Sequence, residues 1–150
     1  MKLTLWISLI AVVDQLFKWI IVDTMRLGQT IRVLPFFHIT FVLNTGTAFG
    51  LFQDNNLFFV ILCILIIGGF IYYRRSFLCE GVLSRIGYVM ILGGAFGNLF
   101  DRIFRGQVVD FLDLLVWPVF NVADSCISVG TCLLLLSCLV RKKSHASNSV

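Results

Sequence analysis

The sequence predicts an all-α membrane protein of four transmembrane helices, with one small β region after the first, and three observations carry that expectation. The 150 residues are 59% hydrophobic and 13% charged, where a soluble domain of this size carries about 25% charge. The mean hydropathy is +0.96. The apolar residues come in continuous runs rather than at amphipathic spacing, well beyond what a soluble helix needs to bury one face. At this length a single domain, residues 1–150, is expected.

The first run, residues 3–22, follows Met1-Lys2 and mimics a signal peptide. Asp14 and Lys18 interrupt it and no small-residue cleavage site follows, so a retained helix is expected. An unpaired charge at mid-bilayer costs about 3 kcal/mol. Asp14 and Lys18, four apart, share a helix face and can pair. They are either a structural ion pair or part of a proton relay or substrate contact. Next, "PFFHITFVLN" alternates with period two, with Phe37, Ile39, Phe41 and Leu43 on one face, which reads as a strand. "NTGTAFGLF" follows from Asn44, with Gly46 and Gly50 as turn or close-approach positions.

The second run, 57–73, has no charge. The third, 82–104, contains "GGAFGNLFDR". Gly93 and Gly97 form a small-xxx-small face that admits a neighbouring helix. Asn98, Asp101 and Arg102 stand at i, i+3 and i+4, hence on one side, where they form either a polar helix end or a network. The fourth run, 120–140, begins "FNVADS". Asn121 and Asp124 share a face, and Asp124 could cap that helix. The polar tail from about 142 to 150 is expected to be disordered, and His145 within it is given no role.

Lysine and arginine placement orients the chain. One side carries Lys2, Arg74, Arg75, Arg85, Arg141, Lys142 and Lys143 against Glu80 alone. The other carries Arg26, Arg32, Arg102 and Arg105 against Asp23, Asp54, Asp101, Asp110, Asp113 and Asp124. Both termini are therefore expected in the cytoplasm, with residues 23–56 and 105–119 outside. The net charge of +4 belongs to topology, and no nucleic-acid partner is expected. The five cysteines, Cys63, Cys79, Cys126, Cys132 and Cys138, are odd in number and form no CxxC pair. They read as apolar packing residues, with no disulfide framework, metal site or cofactor. A Cys126 nucleophile would need His38 or His145 as its base, and neither has an evident route to it.

The chemistry concentrates in "VVDFLDLLVWPVFNVADS", which holds Asp110, Asp113 and Asp124. A short connection makes the third and fourth helices antiparallel neighbours, so Asp110 or Asp113 could sit beside Asp124. Two converging carboxylates resist double ionisation, and one keeps its proton near neutral pH. The ionised partner can take a proton from water while the protonated one polarises a carbonyl. That is amide hydrolysis without a metal or covalent intermediate. A small proton-coupled transporter subunit would also place aspartates in helices, but it needs a continuous polar path and the second span offers none. A purely structural bundle would tolerate Asp→Asn changes.

"DQLFK" (14–18), "NTGTAFG" (44–50), "GGAFGNLFDR" (93–102), "GQVVDF" (106–111) and "FNVADS" (120–125), in this order, resemble the bacterial lipoprotein signal peptidases, signal peptidase II, over nearly the whole chain. The resemblance implies an aspartic endopeptidase of the cytoplasmic (inner) membrane. It would cleave prolipoproteins before the diacylglyceryl-modified cysteine, with its site near the outer face. Asp110 and Asp124 match the catalytic pair, and Asp113 is a bystander. Asn44, Asn98, Asp101, Arg102 and Asn121 match polar residues that shape the site. Asp14 and Lys18 match a supporting motif of the first helix. Residues 31–43 look like a small extracytoplasmic β-cradle. A short periplasmic helix or loop between helices 1 and 2, after Asn44, would cover the site. Thr47 stands where the family has alanine or glycine. The implied partners are lipidated prolipoproteins and membrane lipids, and the enzyme is expected to act as a monomer without cofactor or metal.

Overall fold

The computed structural model describes residues 3–46, 55–79 and 81–147, with backbone alone at 79 and 141–147. Four long helices, α1 (Leu3–Thr24), α2 (Asn56–Tyr72), α4 (Val82–Phe104) and α5 (Val122–Ser147), are joined by a short helix α3 (Arg74–Cys79) and three strands. The strands are β1 (Thr30–Leu34), β2 (Phe37–Asn44) and β3 (Val108–Asp113). Helices α1 and α4 and residues Val122–Val140 of α5 are long and apolar enough to cross a membrane. Helix α2 is the most apolar of the four but has 17 residues, about 26 Å of rise.

Each long helix is built around what it must satisfy in lipid. Helix α1 exposes Leu9, Val12, Leu16 and Trp19 and buries Asp14, Lys18 and Ile21. Water is the wrong reference for such a helix: the apolar side chains face hydrocarbon and the charged ones face protein. Asn55 caps α2, its side chain accepting the Phe58 amide at 3.2 Å. Helix α4 is the central element and the most deeply buried. Its Gly94 lies against the Ala123 carbonyl of α5 and its Gly97 against the Asp14 carboxylate of α1, where any Cβ would collide. Gly94 lets α4 close on the α5 backbone, and Gly97 leaves room beside it for the Asp14 side chain of α1. Past Arg105, Gly106 takes φ +76°, a left-handed exit that turns the chain out of α4 into β3.

The sheet is antiparallel in the order β1-β2-β3. Ile39, Phe41 and Leu43, the apolar face expected for β2, pack with Val109 and Phe111 of β3 against Ile21 and Met25 at the end of α1. The sheet therefore rests on the helices through one apolar face. A second cluster, Ile67, Tyr88, Val89, Leu92 and Ala95, fills the space between α2 and the first half of α4.

The observed architecture departs from expectation after α4, after α2 and at the start of the tail. The 105–119 stretch is not a bare connection, because it contains β3, which pairs Asp110 with Val42 and Val108 with Asn44. The helix α3 was not anticipated. The β1–β2 hairpin follows α1 where the β region was expected, and the short helix or loop expected after Asn44 falls at residues outside the described ones. The cover expected over residues 47–54, Thr47 included, lies outside the described residues, as do residues 148–150 of the expected tail, whose earlier part continues α5 as helical backbone to Ser147.

Candidate active site

Asp110 and Asp124 reach one place from different kinds of element. Strand residues alternate between faces, so Asp110 turns inward with 1% exposure, while Asp113, three residues on, turns to the other side. There Asp113 accepts from Thr40 at 2.7 Å and from the Leu115 amide at 2.8 Å. The Thr40 hydrogen bond holds the Asp113 carboxyl below its ordinary range. Asp124 lies in the first turn of α5.

Two asparagines tie the pair together. Asn121 donates to Asp110 Oδ1 at 2.6 Å and to Asn98 Oδ1 at 3.2 Å. Asn98 donates to Asp124 Oδ1 at 2.7 Å. Asn44 donates to the second oxygen of Asp110 at 2.8 Å. Asn121 also accepts the Asp124 amide at 2.8 Å. It is therefore Asn121 that caps α5, and the alternative that Asp124 is the capping carboxylate is corrected. Asp124 is left with its carboxylate pointing into the network rather than at its own helix.

Behind the pair sits a cluster centred on Lys18, which is fully buried. Its ammonium lies 2.7 Å from Asp14, 2.9 Å from Asp101 and 3.0 Å from Asn98 Oδ1. Asp14 in turn accepts the Ala123 amide at 2.8 Å, the residue before Asp124. Asp101 accepts the Val109 amide at 3.2 Å, the residue before Asp110. One cation thus anchors both chain segments that carry the pair. Arg102 stacks over the Phe59 ring at 4.3 Å and donates to the Gly46 carbonyl at 3.2 Å. Its Nη1 has no hydrogen-bond partner among the described residues. Asp101 and Arg102, neighbours in sequence, serve different partners, as adjacent helix residues must.

The electrostatics follow from this count. Asp14, Asp101, Asp110 and Asp124 face Lys18, Arg102 and Arg105. One proton on the Asp110–Asp124 pair leaves the cluster neutral. Burial, and then the charge of Asp124, push the Asp110 carboxyl up to about 7. The arrangement can hold one ionised and one protonated carboxyl at neutral pH.

Sequence reading brought forward nine residues, and the structure gathers all of them, Asp14, Lys18, Asn44, Asn98, Asp101, Arg102, Asp110, Asn121 and Asp124, into one connected region. It missed Gln15, Arg105 and Phe59. Gln15 donates to Asp101 at 3.1 Å and to the Gly97 carbonyl at 3.0 Å. The signal for Gln15 was available: it is a polar side chain inside an apolar run, between Asp14 and Lys18. His38 lies opposite Asp113 in the sheet, so the described side chains assemble no Cys126–His dyad.

Fold and site together define a multi-pass membrane protein with two carboxyls, Asp110 and Asp124, linked by asparagines in a largely buried polar cluster. Comparison with known proteins places it further. A family model described as signal peptidase (SPase) II matches residues 6–140. A lipoprotein signal peptidase of Symbiobacterium thermophilum is 41% identical over 152 residues, covering 96% of this chain and 99% of the relative. One from Haemophilus influenzae is 37% identical, covering 96% and 90%. A bacterial membrane enzyme solved by the in meso method at 2.3 Å superposes with a TM-score of 0.86 at 31% identity, over 95% of this chain and 90% of that one. The chain belongs to the signal peptidase II family.

Proposed function

We propose that this protein is an intramembrane aspartic endopeptidase that removes the signal peptide from prolipoproteins, cutting before the diacylglyceryl-modified cysteine. The family supports the processing of prolipoproteins and gives no support to a transporter. The observation that carries the aspartic chemistry is the Asp110–Asn121–Asn98–Asp124 hydrogen-bond chain. It joins two carboxyls from a strand and a helix at one buried point.

In this reading the pair shares one proton. The ionised member takes a proton from water as the oxygen attacks the scissile carbonyl, and the protonated member donates to the developing oxyanion. Collapse of the tetrahedral intermediate breaks the C–N bond, and the proton taken from water passes to the leaving amine of the cysteine. Base and acid are roles of the pair, which titrates as a unit. Asn44 and Asn121 orient Asp110, and Asn98 orients Asp124. Asp101 and Arg102 complete the charge balance, and Asp14 with Lys18 forms the structural pair behind it.

Four spans, counting α2, put both termini in the cytoplasm by the lysine and arginine bias and the pair near the outer, periplasmic face. A lipidated cysteine at the membrane surface presents its peptide bond at that depth. Membrane lipids and lipidated precursors are the partners, and the enzyme acts as a monomer.

The test is processing of a diacylglyceryl-modified prolipoprotein by purified variants. Asp110→Asn and Asp124→Asn should each lose about 10²- to 10⁴-fold in rate, while Asp113→Asn stays near wild type. Full activity from Asp124→Asn would end this reading. Because burial and the charge of Asp124 push the Asp110 carboxyl up to about 7, the pair should lose its one proton, and kcat/KM should fall, as pH rises through that region.

A further inference from the structure

Asp101 accepts from four donors, two on each oxygen. Lys18 and the Val109 amide bind Oδ2 at 2.9 and 3.2 Å. Gln15 and Arg105 bind Oδ1. Arg105 Nη1 also donates to Gln15 Oε1 at 2.9 Å, so the three side chains close a ring at the end of α4. A carboxylate held through one oxygen can swing, whereas one held through both has a fixed plane. The oxygen opposite the ring is the one that grips Val109, the residue before Asp110.

We propose that Arg105, acting with Gln15, is a positioning residue for peptide cleavage: it locks the Asp101 carboxylate so that its other oxygen fixes Val109 and with it the approach of Asp110 to Asp124. The proposal rests on the Asp110–Asp124 reading above. Among the described residues the Arg105 side chain bonds Asp101 and Gln15 and neither member of the pair, so its influence runs through Asp101. Lys18 cannot do this alone, because the same ammonium serves Asp14 and Asn98.

Arg105 is also the accessible cation of the cluster, its side chain 29% exposed where that of Lys18 is 0%. A substitution there leaves no sealed cavity, so the chain should still fold. Arg105 itself pairs with Asp101; the other charged and titratable groups of the cluster, which face Lys18, Arg102 and Asp110 rather than Arg105, are Asp14 and Lys18 from α1, Cys63 from α2, Arg102 from α4, Asp110 from β3 and Asp124 from α5. Without Arg105, four carboxyls face two cations, and the excess negative charge makes the pair hold its proton to higher pH.

Two variants separate geometry from charge. Arg105→Gln in the full-length enzyme should lower kcat about 10- to 100-fold with KM nearly unchanged, and should move the alkaline fall of kcat/KM to higher pH. Arg105→Lys should restore the position of that fall. Gln15→Met, which removes an Asp101 donor without changing charge, should lower kcat and leave the pH profile in place. The assay is cleavage of a lipidated prolipoprotein, normalised to folded enzyme. A wild-type kcat and pH profile for Arg105→Gln overturns the proposal, as does a loss confined to yield. Asp124→Asn runs alongside: if it is inert while Arg105→Gln is normal, positioning fails alone, and if it is active, the catalytic pair itself fails.

Discussion

The two halves of α4 pack equally closely and enclose opposite contents. In the first half Gly87 meets the Gly130 carbonyl of α5, and a Cβ there would stand 2.7 Å from it. Around that contact lie Tyr88, Val89 and Leu92, with Ile67 of α2. In the second half Gly94 and Gly97 meet α5 and α1 just as tightly, and the enclosed side chains are Asn98, Asp101 and Arg102. Close packing alone therefore does not decide what a membrane helix buries. The second half tolerates charge because nearly every donor and acceptor there is used, and a satisfied network is the condition for burying one.

That contrast can be broken at its centre. Lys18→Met leaves Asp14 and Asp101 buried without their common cation. Breaking a buried pair from one side costs about 3–5 kcal/mol. The expected outcome is a large drop in thermal stability with little processing in the fraction that folds, read by unfolding in detergent alongside activity. A variant as stable as wild type would mean that the cluster is not a unit.

A paired glycine test sharpens the comparison. Gly94→Ala and Gly87→Ala each push a methyl into a backbone oxygen of α5, and overpacking costs about 1–3 kcal/mol. Gly94 presses on Ala123, beside Asp124, whereas Gly87 is two turns away. Both variants should lose stability, and only Gly94→Ala should lose kcat per folded molecule. Equal losses of kcat would show that α5 moves as a rigid rod. The smallest effect is expected at Ser84, whose buried hydroxyl has no hydrogen-bond partner among the described residues. Ser84→Ala removes an unsatisfied group, so stability should be unchanged within about 0.5 kcal/mol or slightly higher, with normal processing.

The parts legible in the sequence are those written in local composition. Lipid demands long apolar runs, so 82–104 coincides with α4 and 57–73 with α2 to within one residue. Asp14 and Lys18 meet because a helix turn brings i and i+4 together. Strand β3 was not legible: "VVDFLD" has apolar residues at both parities, since both faces of the strand are covered over Val108–Phe111, and its partners lie about 70 residues earlier in the chain. Arg105 was read as an outer-loop charge because its second partner, Gln15, is 90 residues away. The separate fates of Asp110 and Asp113 needed the strand. Three residues apart on a helix they share a side, and on a strand they are parted by the sheet.

One contact has a consequence for how the chain is made. The Asp14 carboxylate in α1 satisfies the Ala123 amide in the first turn of α5, across 109 residues. That amide is one of the helix-start donors that a helix cannot satisfy by itself. During synthesis α1 enters the membrane long before α5 exists, and its Asp14 and Lys18 wait with each other until the last span arrives. Asp124 comes into place only in that final docking. On the aspartic mechanism proposed above, the Asp110–Asp124 centre forms only at the moment the last helix joins the first.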